Sequence, residues 1–170
     1  MHETDADLTA LQEVLDRSYA NAGRHLLRIH SGEHRLTAEQ VAESLPGMRL
    51  LALATTTADG RPIVGPVDGI FYKGAFHFGS APDSVRFRHI AKRPAVSATH
   101  CPGEELAVTV HGRAVEVDMQ AEENAGFRAA VLEIYVPRFG PEWEHEFLDS
   151  GPMYARIDAD RMFTYAAEAY

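Results

Sequence analysis

The stretch HFGSAPDSVRFRHIAKRP, from His77 to Pro94, predicts a strand that passes through a tight turn into a short helix. The apolar run before Gly79 is typical of a strand, and Pro82-Asp83-Ser84 opens the helix. That helix ends near Arg93, because the residue before a proline is disfavoured in the α conformation. The basic side chains of this segment are Arg86, Arg88, His89, Lys92 and Arg93. They form a basic cluster in a chain whose net charge is −9.

The start of this helix has the properties of a phosphate site. Backbone N–H groups at a helix start favour an anion, and Ser84 adds a hydroxyl. Arginine forms paired hydrogen bonds to phosphate oxygens. The alternative is that the cations only complement the negative end of the helix dipole, which accounts for Lys92 and Arg93. It does not account for Arg86, which lies in the first turn, so we predict that Arg86 and Ser84 bind an anionic ligand.

The flanking sequence predicts an antiparallel sheet. Its strands are predicted at residues 50–57, 63–72, 75–80, 95–100 and 106–117, followed by one or two strands over 153–165. Asp59-Gly60 and Lys73-Gly74 are turn signals for short hairpins. A sheet of this length commonly closes into a barrel, which hides its edges. Gly112 inside the fifth strand indicates a bulge or a sharply coiled point.

Three residues interrupt the second predicted strand: Pro62, Pro66 and Gly69. Proline lacks the N–H donor of a strand ladder, so this strand is an edge, is bulged, or serves something other than pairing.

Helices are predicted before the first strand and after the fifth. Apolar residues from Leu8 to Ile29 recur at three- and four-residue steps and predict one amphipathic helix. Thr37 and Gln40 have the spacing of a capping box for a second, short helix. Residues 1–47 are therefore predicted to be a helical extension to a domain at residues 48–170. Another helix is predicted over residues 120–136.

The composition limits the class of protein. The length of 170 residues suits one compact domain. An excess of 25 acidic over 16 basic residues argues against a nucleic-acid or anionic-membrane surface and favours a small-molecule ligand. The single cysteine, Cys101, excludes an intrachain disulfide and favours the cytoplasm. No apolar stretch approaches the roughly 20 residues that span a bilayer.

Other candidate groups are open to two interpretations. No metal site is predicted, because His30 and His34 are separated by Gly32 and no HExxH pattern occurs. His77 and His111 lie in predicted strands, where they either face a cleft or are satisfied polar groups. Four aromatic residues either cover a substrate opening or belong to the core or a dimer contact: Tyr135, Phe139, Trp143 and Phe147. The absence of GxGxxG and P-loop patterns gives no support to a Rossmann or nucleotide-triphosphatase fold.

From Met48 onward, about 70% of the chain resembles the pyridoxamine 5′-phosphate oxidase-like family of FMN-binding split barrels. The matching segments are TTTADGRP (55–62), GAFHFGS (74–80), DSVRFRHIAKRPAVS (83–97), VHGRAVEV (110–117) and MYARIDADRMFTYA (153–166). The resemblance implies a mainly β (α+β) fold, a six-stranded antiparallel split barrel. It also implies a homodimer with flavin sites at the interface.

The resemblance further implies a cofactor site. In the family, a strand end and a serine-containing triplet that opens the next helix hold the flavin phosphate. Ser84 matches that serine and Arg86 matches the lysine of the triplet, while Gly79 and Ser80 match the strand end. Pro66, Val67 and Asp68 match the strand whose backbone lies along the isoalloxazine ring. Apart from the resemblance, Arg88 is a weaker candidate phosphate ligand, and His89, three residues after Arg86, can lie on the same side of the helix.

Departures from the family pattern limit the predicted activity. The second strand, VGPVDGIF (64–71), lacks the cations that family oxidases carry there, and the expected glutamine is replaced near Ala107. The Arg-rich, Trp-containing C-terminus that binds pyridoxal phosphate is also missing, so pyridoxamine phosphate oxidase activity is not expected. We predict an FMN-dependent oxidoreductase acting on a small molecule. The alternatives are a reductase that uses a deazaflavin coenzyme and a non-catalytic flavin- or ligand-binding protein, and no catalytic residue is assigned.

Overall fold

The computed structural model describes residues 2–145 and 150–167. The α-helices are α1 (Asp5–Ala20), α2 (Arg24–Ile29), α3 (Ala38–Ser44), α4 (Val85–Ile90) and α5 (Ala125–Phe139). The strands are β1 (Met48–Thr56), β2 (Pro62–Tyr72), β3 (Ala75–Ser80), β4 (Ala95–His100), β5 (Leu106–Val117) and β6 (Met153–Ala166). Among the described residues, no helix is both long and apolar enough to cross a membrane.

The six strands form a closed antiparallel barrel in the order β1-β2-β3-β6-β5-β4. This confirms the predicted mainly β fold. Alternate residues of each strand point into the barrel, where Leu51, Phe76, Val110 and Ile157 are fully buried. The C-terminal strand β6 is inserted between β3 and β5, so the barrel closes through residues that are far apart in sequence.

The first half of β2 is an edge, as one of the sequence alternatives predicts. β2 pairs with β1 from Pro62 to Ile70, but its pairing with β3 covers only Gly69–Tyr72. The carbonyl of Pro66 accepts a hydrogen bond from Arg86, so the backbone N and O of Pro66 point away from β1. The N–H that proline lacks would therefore have faced the open edge, and the β1–β2 ladder loses no donor.

The predicted irregularity at Gly112 is confirmed. The β5–β6 register shifts there: His111 pairs with Arg161, and Gly112 pairs with Ala159. Asp160 is therefore an extra residue of β6, which forms the bulge. A Cβ atom on Gly112 would lie 2.0 Å from the carbonyl oxygen of Asp158. The close approach of the β6 backbone explains the glycine, and β6 is one bulged strand rather than two.

Two helix predictions require correction. The single helix expected over Leu8–Ile29 is wrong, because α1 ends at Ala20 and α2 begins at Arg24. The side chain of Asn21 donates a hydrogen bond to the Arg17 carbonyl, which caps α1 at 2.8 Å. The helix expected over 120–136 begins later and ends later, at Phe139, because Gly140 adopts a φ of 95° that terminates it. The capping box of Thr37 and Gln40 is confirmed.

The N-terminal helical segment covers the open edge of β6. The hydroxyl of Ser18 accepts from the Met162 N–H at 2.9 Å, and the hydroxyl of Tyr19 accepts from the Thr164 N–H at 2.8 Å. His30 and His34 donate their Nδ1–H groups to the carbonyls of Thr164 and Ala166. These histidines therefore have a structural role, since they satisfy carbonyl groups at the edge of β6. Within the described ranges, no group of three His, Cys, Asp or Glu residues is placed to hold a metal ion.

Candidate functional site

A cleft of about 430 Å³ lies between the outer faces of β2, β3 and β6 and the C-terminal part of α5. Strand alternation explains part of its lining, since Phe76 points into the barrel while His77 and Gly79 line the cleft. Five of the nine predicted cofactor residues line it: Pro66, Val67, Asp68, Gly79 and Arg86. The structure thus brings together residues from β2, β3 and α4 around one cavity.

Arg86 forms the cationic end of the cleft. Ser84 is the N-cap of α4 and accepts from the Phe87 N–H at 3.4 Å, which places Arg86 in the first helical turn. The Nη2 of Arg86 donates to the Pro66 carbonyl at 2.8 Å. Partial burial lowers the pKa of Arg86, although a guanidinium remains charged at neutral pH. The guanidinium is thereby tied to the edge of β2 and keeps further N–H donors for an anionic ligand.

Asp68 forms the anionic end. The hydroxyl of Tyr135 donates to Asp68 Oδ2 at 3.0 Å. Burial and the neighbouring Asp68 charge raise the pKa of both Tyr135 and Tyr154, so both phenols keep their protons at neutral pH. A Cβ atom on Gly79 would come within 2.7 Å of the Tyr154 ring, so the glycine makes room for that ring. The protonated Tyr135 phenol therefore binds the Asp68 carboxylate, and the protonated Tyr154 phenol lines the same cleft.

His77 is a neutral base in the wall of the cleft. Its ring stacks on Phe127 with 4.3 Å between centroids, and its Nδ1 lies 3.1 Å from the Ala75 carbonyl. A carbonyl can only accept, so Nδ1 carries the proton and Nε2 carries the lone pair. Burial, with a smaller effect of Arg156, lowers the pKa of His77 to about 4. His77 therefore faces the cleft and is also a hydrogen-bonded polar group, as the two interpretations proposed. His111, in contrast, is exposed, and its Nδ1 lies 2.8 Å from the Ser97 hydroxyl.

Stacked aromatic rings form the wall contributed by α5. The Tyr135 and Trp143 rings lie 4.8 Å apart at 22°, and the Tyr135 and Phe139 rings lie 6.1 Å apart at 15°. All three line the cleft, and Tyr135 is also buried in an apolar cluster against which Trp143 packs, so the opening and the core interpretations both apply. Phe139 is 57% exposed, so its ring is available to a ligand. The fourth predicted aromatic, Phe147, lies outside the described residues.

Four predicted cofactor residues are not among the residues lining the cleft: Ser80, Ser84, Arg88 and His89. Arg88 donates to the Asp83 carbonyl, and His89 Nδ1 lies 3.0 Å from the Thr55 hydroxyl. Their role in cofactor binding stays a prediction. At the end of the same segment, Arg93 donates to the Thr56 carbonyl at 2.8 Å, which is a structural role.

Three further cleft residues carry no sequence signal of their own: Ile70, Phe78 and Tyr154. Tyr154 lies opposite Gly79 in the β3–β6 ladder. A glycine between bulky strand residues indicates a large partner side chain, but the pairing of β3 with the last strand cannot be derived from local sequence.

Comparison with known proteins gives one family match. A family model described as pyridoxamine 5′-phosphate oxidase matches residues 37–153. No curated protein matches the chain.

Solved structures share the fold at low sequence identity. A FAD-binding protein from Mesorhizobium loti has a TM-score of 0.57 and 22% identity, over 78% of this chain and 96% of that one. A heme binding protein from Mycobacterium smegmatis has a TM-score of 0.58 and 23% identity, over 80% and 60%. An F420 reductase has a TM-score of 0.53 and 20% identity, over 71% and 94%. At these identities the likeness establishes the fold alone.

Proposed function

Because this chain belongs to the pyridoxamine 5′-phosphate oxidase family, we propose that it binds a flavin in the cleft and acts as a flavin-dependent oxidoreductase on a small molecule. The observation that carries the proposal is the contact of Arg86 with the Pro66 carbonyl at 2.8 Å. It joins the predicted phosphate ligand to the strand along which the family's flavin ring lies. The partial burial of Arg86 strengthens its interaction with an anion, because less water competes for the guanidinium.

The residues present fit FMN. Arg86 would hold the phosphate, and the unpaired edge of β2 from Pro66 to Asp68 offers backbone groups to the ring. The stacked rings of Tyr135 and Trp143 supply an apolar wall for a planar group. The bound flavin would supply the hydride chemistry, and the protein would supply binding and orientation. His77 lines the cleft as a neutral imidazole and therefore adds no charge to it.

Two alternatives use the same cleft. A deazaflavin coenzyme presents a similar planar ring and a phosphate, and a solved structure of the same fold is an F420 reductase. A non-catalytic ligand-binding protein would keep the binding contacts without turnover. Heme is one ligand to test for this non-catalytic alternative, since one structural neighbour is described as a heme binding protein.

The proposed assembly is a homodimer. The outer face of β1 and β2 carries Leu50 at 58% exposure and Val64 at 64%. The register pairs Leu50 with Asp68 and Ala54 with Val64, so these side chains share one face of the sheet. An exposed apolar face beside the cleft suits contact with a second copy. A cytoplasmic location, which the single cysteine favours, belongs to the same proposal.

Mass spectrometry of any ligand released on denaturation, together with the absorbance spectrum, tests the function directly. The purified protein is expected to release FMN or, after extraction of all ligand, to bind added FMN with an FMN-like spectrum. Uptake of a deazaflavin coenzyme but not FMN would select the first alternative. Flavin binding without turnover by any reductant would select the second, and binding of hemin alone would refute the flavin proposal.

A further inference from the structure

A second cavity, of about 460 Å³, lies between the segment before α1, the end of α3, the end of β2 and α5. Its apolar lining residues are Ala42, Leu45, Pro46, Ile70, Phe71 and Ile134. Ile70 also lines the cleft proposed for the flavin, but Arg86, Asp68 and the stacked aromatic wall belong to that cleft and not to this cavity. The proposed function therefore makes no use of the second cavity.

Three carboxylates from three separate elements line this cavity: Glu3 before α1, Glu43 in α3 and Glu133 in α5. Within the described part of the chain, none of the three forms an ion pair. None of the described residues that line the cavity is a lysine or an arginine. A concave surface lined by one sign of charge concentrates ligands of the opposite sign, so the cavity favours a cation.

Glu3 is held beside the cavity by its neighbours. Its Oε2 accepts a hydrogen bond from the His2 N–H at 2.9 Å, and the next residue, Thr4, is the N-cap of α1. The His2 ring lies 5.4 Å from the Tyr72 ring, which places this segment against β2. The other oxygen, Oε1, is buried and has no hydrogen-bond partner among the described residues. A buried acceptor without a donor is costly, and an N–H donor brought into the cavity beside it would remove that cost.

The lining also indicates which kind of cation fits. Within residues 2–145 and 150–167, no group of three His, Cys, Asp or Glu residues is placed to hold a metal ion, so the three carboxylates are not arranged to coordinate a single ion. A planar cation finds no open ring to stack on, because Phe71 is only 4% exposed and the His2 ring packs on Tyr72. Separate carboxylates around an apolar surface instead match a chain of methylene groups that carries more than one ammonium group.

We propose that this cavity binds a linear aliphatic diamine or polyamine. The ammonium groups would donate N–H bonds to Glu3, Glu43 and Glu133, and the methylene groups would cover the apolar lining. The site is separate from the cleft proposed for the flavin, so the inference does not depend on flavin binding. It gives the helical segment before β1 a binding role in addition to covering the edge of β6, because Glu3 and Glu43 both belong to that segment.

Three probes of one length test the charge preference: cadaverine, aminopentanol and pentanediol, each with its polar groups at the two ends of a five-carbon chain. They carry two, one and no positive charges at neutral pH. Each is titrated by calorimetry into the whole chain in about 0.15 M NaCl, which screens attraction by distant charges. Cadaverine is expected to bind at least about fivefold more tightly than aminopentanol, the effect of one additional ion pair, and pentanediol most weakly. Equal binding of cadaverine and aminopentanol, or no binding of cadaverine, would overturn the proposal.

The matched variants remove one carboxylate charge at a time and keep the shape: Glu3→Gln, Glu43→Gln and Glu133→Gln. The control is Glu13→Gln, because Glu13 is exposed on α1 and lines a different acidic groove. At least two of the three cavity variants should weaken cadaverine binding by about threefold or more, and the control should change it by less than about 1.5-fold. A loss in fewer than two cavity variants, or an equal loss in the control, would assign the binding to net charge and refute the site.

Circular dichroism checks the fold of each variant. Glu43 and Glu133 are exposed, so their replacement should leave the fold intact. If Glu3→Gln does not fold, both exposed variants must show the loss for the proposal to stand.

A magnesium titration separates a polyamine site from a site for any divalent cation. Mg²⁺ carries the same charge as cadaverine but requires oxygen ligands that converge on one point. It is therefore expected to bind more weakly than cadaverine. Binding of Mg²⁺ as tight as that of cadaverine would refute the proposed ligand class.

Discussion

The hydroxyl of Tyr19 donates to the Thr164 carbonyl and accepts from the Thr164 N–H, both at 2.8 Å and across 145 residues of sequence. Tyr19 thereby takes the place of a neighbouring strand along this part of β6. The helices before β1 are bound to the barrel by hydrogen bonds between their side chains and the β6 backbone, as well as by apolar contacts. Their removal would expose unpaired strand groups, which is a recognised risk for aggregation.

Replacement of Tyr19 by phenylalanine is expected to lower the free energy of unfolding by about 1–3 kcal/mol, because two backbone groups lose their buried partner. Urea unfolding followed by circular dichroism measures the change. Tyr165→Phe is the matched control, since its hydroxyl makes no hydrogen bond within the described residues. Equal stability of the two variants would show that the edge contact contributes nothing.

Replacement of Gly112 by valine is expected to destabilise the barrel by at least about 1 kcal/mol, since overpacking forces the backbone to move. The physical cause is the 2.0 Å approach of a Cβ atom to the Asp158 carbonyl oxygen. Thermal unfolding measures the effect. Gly23→Ala is the control, because nothing lies within 4 Å of a Cβ atom there. An unchanged melting temperature for Gly112→Val would contradict the bulge geometry.

Stability is expected to fall as the pH drops below about 6.5, in part because of His77. Burial lowers the pKa of His77 to about 4 in the folded protein, whereas an unfolded histidine titrates near 6.5. Between these values only the unfolded chain binds the proton, so the free energy of unfolding decreases with decreasing pH. From pH 7 to pH 5, wild-type protein should lose about 2 kcal/mol more than His77→Gln. Urea unfolding at each pH measures the effect. The prediction is contradicted if the free energy of unfolding depends on pH in the same way in the two proteins.

Replacement of Arg86 by alanine is expected to weaken binding of FMN or the deazaflavin coenzyme by about 10- to 150-fold, the effect of losing one charged hydrogen bond. Fluorescence titration measures the change. Riboflavin, which has the ring but no phosphate, should be affected much less. Arg93→Ala should change FMN binding by less than about threefold, since Arg93 lies at the end of the segment, away from Arg86, and donates to the Thr56 carbonyl. An equal loss for riboflavin and FMN would show that Arg86 does not bind phosphate.

The protein is expected to be a dimer in solution and to dissociate when Leu50 is replaced by glutamate. A stable interface needs about 1,000 Å² of buried surface, and a charge in an apolar contact leaves it desolvated. Light scattering at micromolar concentration distinguishes the dimer from the 18.7 kDa monomer. Glu39→Gln, on the exposed side of α3, is the control. Wild-type protein that is already monomeric would refute the proposed assembly.

Features that depend on neighbouring residues were predictable from the sequence. β4 and β5 begin and end where alternation and turn residues place them, and the Thr37 capping box needs only four residues. The break between α1 and α2 was not predictable, because α1 docks on a strand 145 residues away. The periodicity of apolar residues continues through that break and gives no warning of it.

The contacts in the cleft also differ in how far the sequence predicts them. The contact of Arg86 with Pro66 spans 20 residues, within the segment that the family resemblance covers. The contact of Tyr135 with Asp68 spans 67 residues and depends on how α5 packs against the barrel. The sequence therefore indicated Arg86, Pro66 and Asp68 as site residues, whereas the hydrogen bond between Tyr135 and Asp68 became visible only in the folded chain.

The long separation between Tyr19 and Thr164 also has a consequence for the order of events during synthesis. At a translation rate of about 5–20 residues per second, roughly 7–30 seconds pass between the two residues. During that interval α1 has no edge to cover, and β3 and β5 have no strand between them. The barrel cannot close before β6 emerges, so any partial sheet formed earlier has unpaired strand edges, a feature that makes incompletely folded chains prone to aggregation.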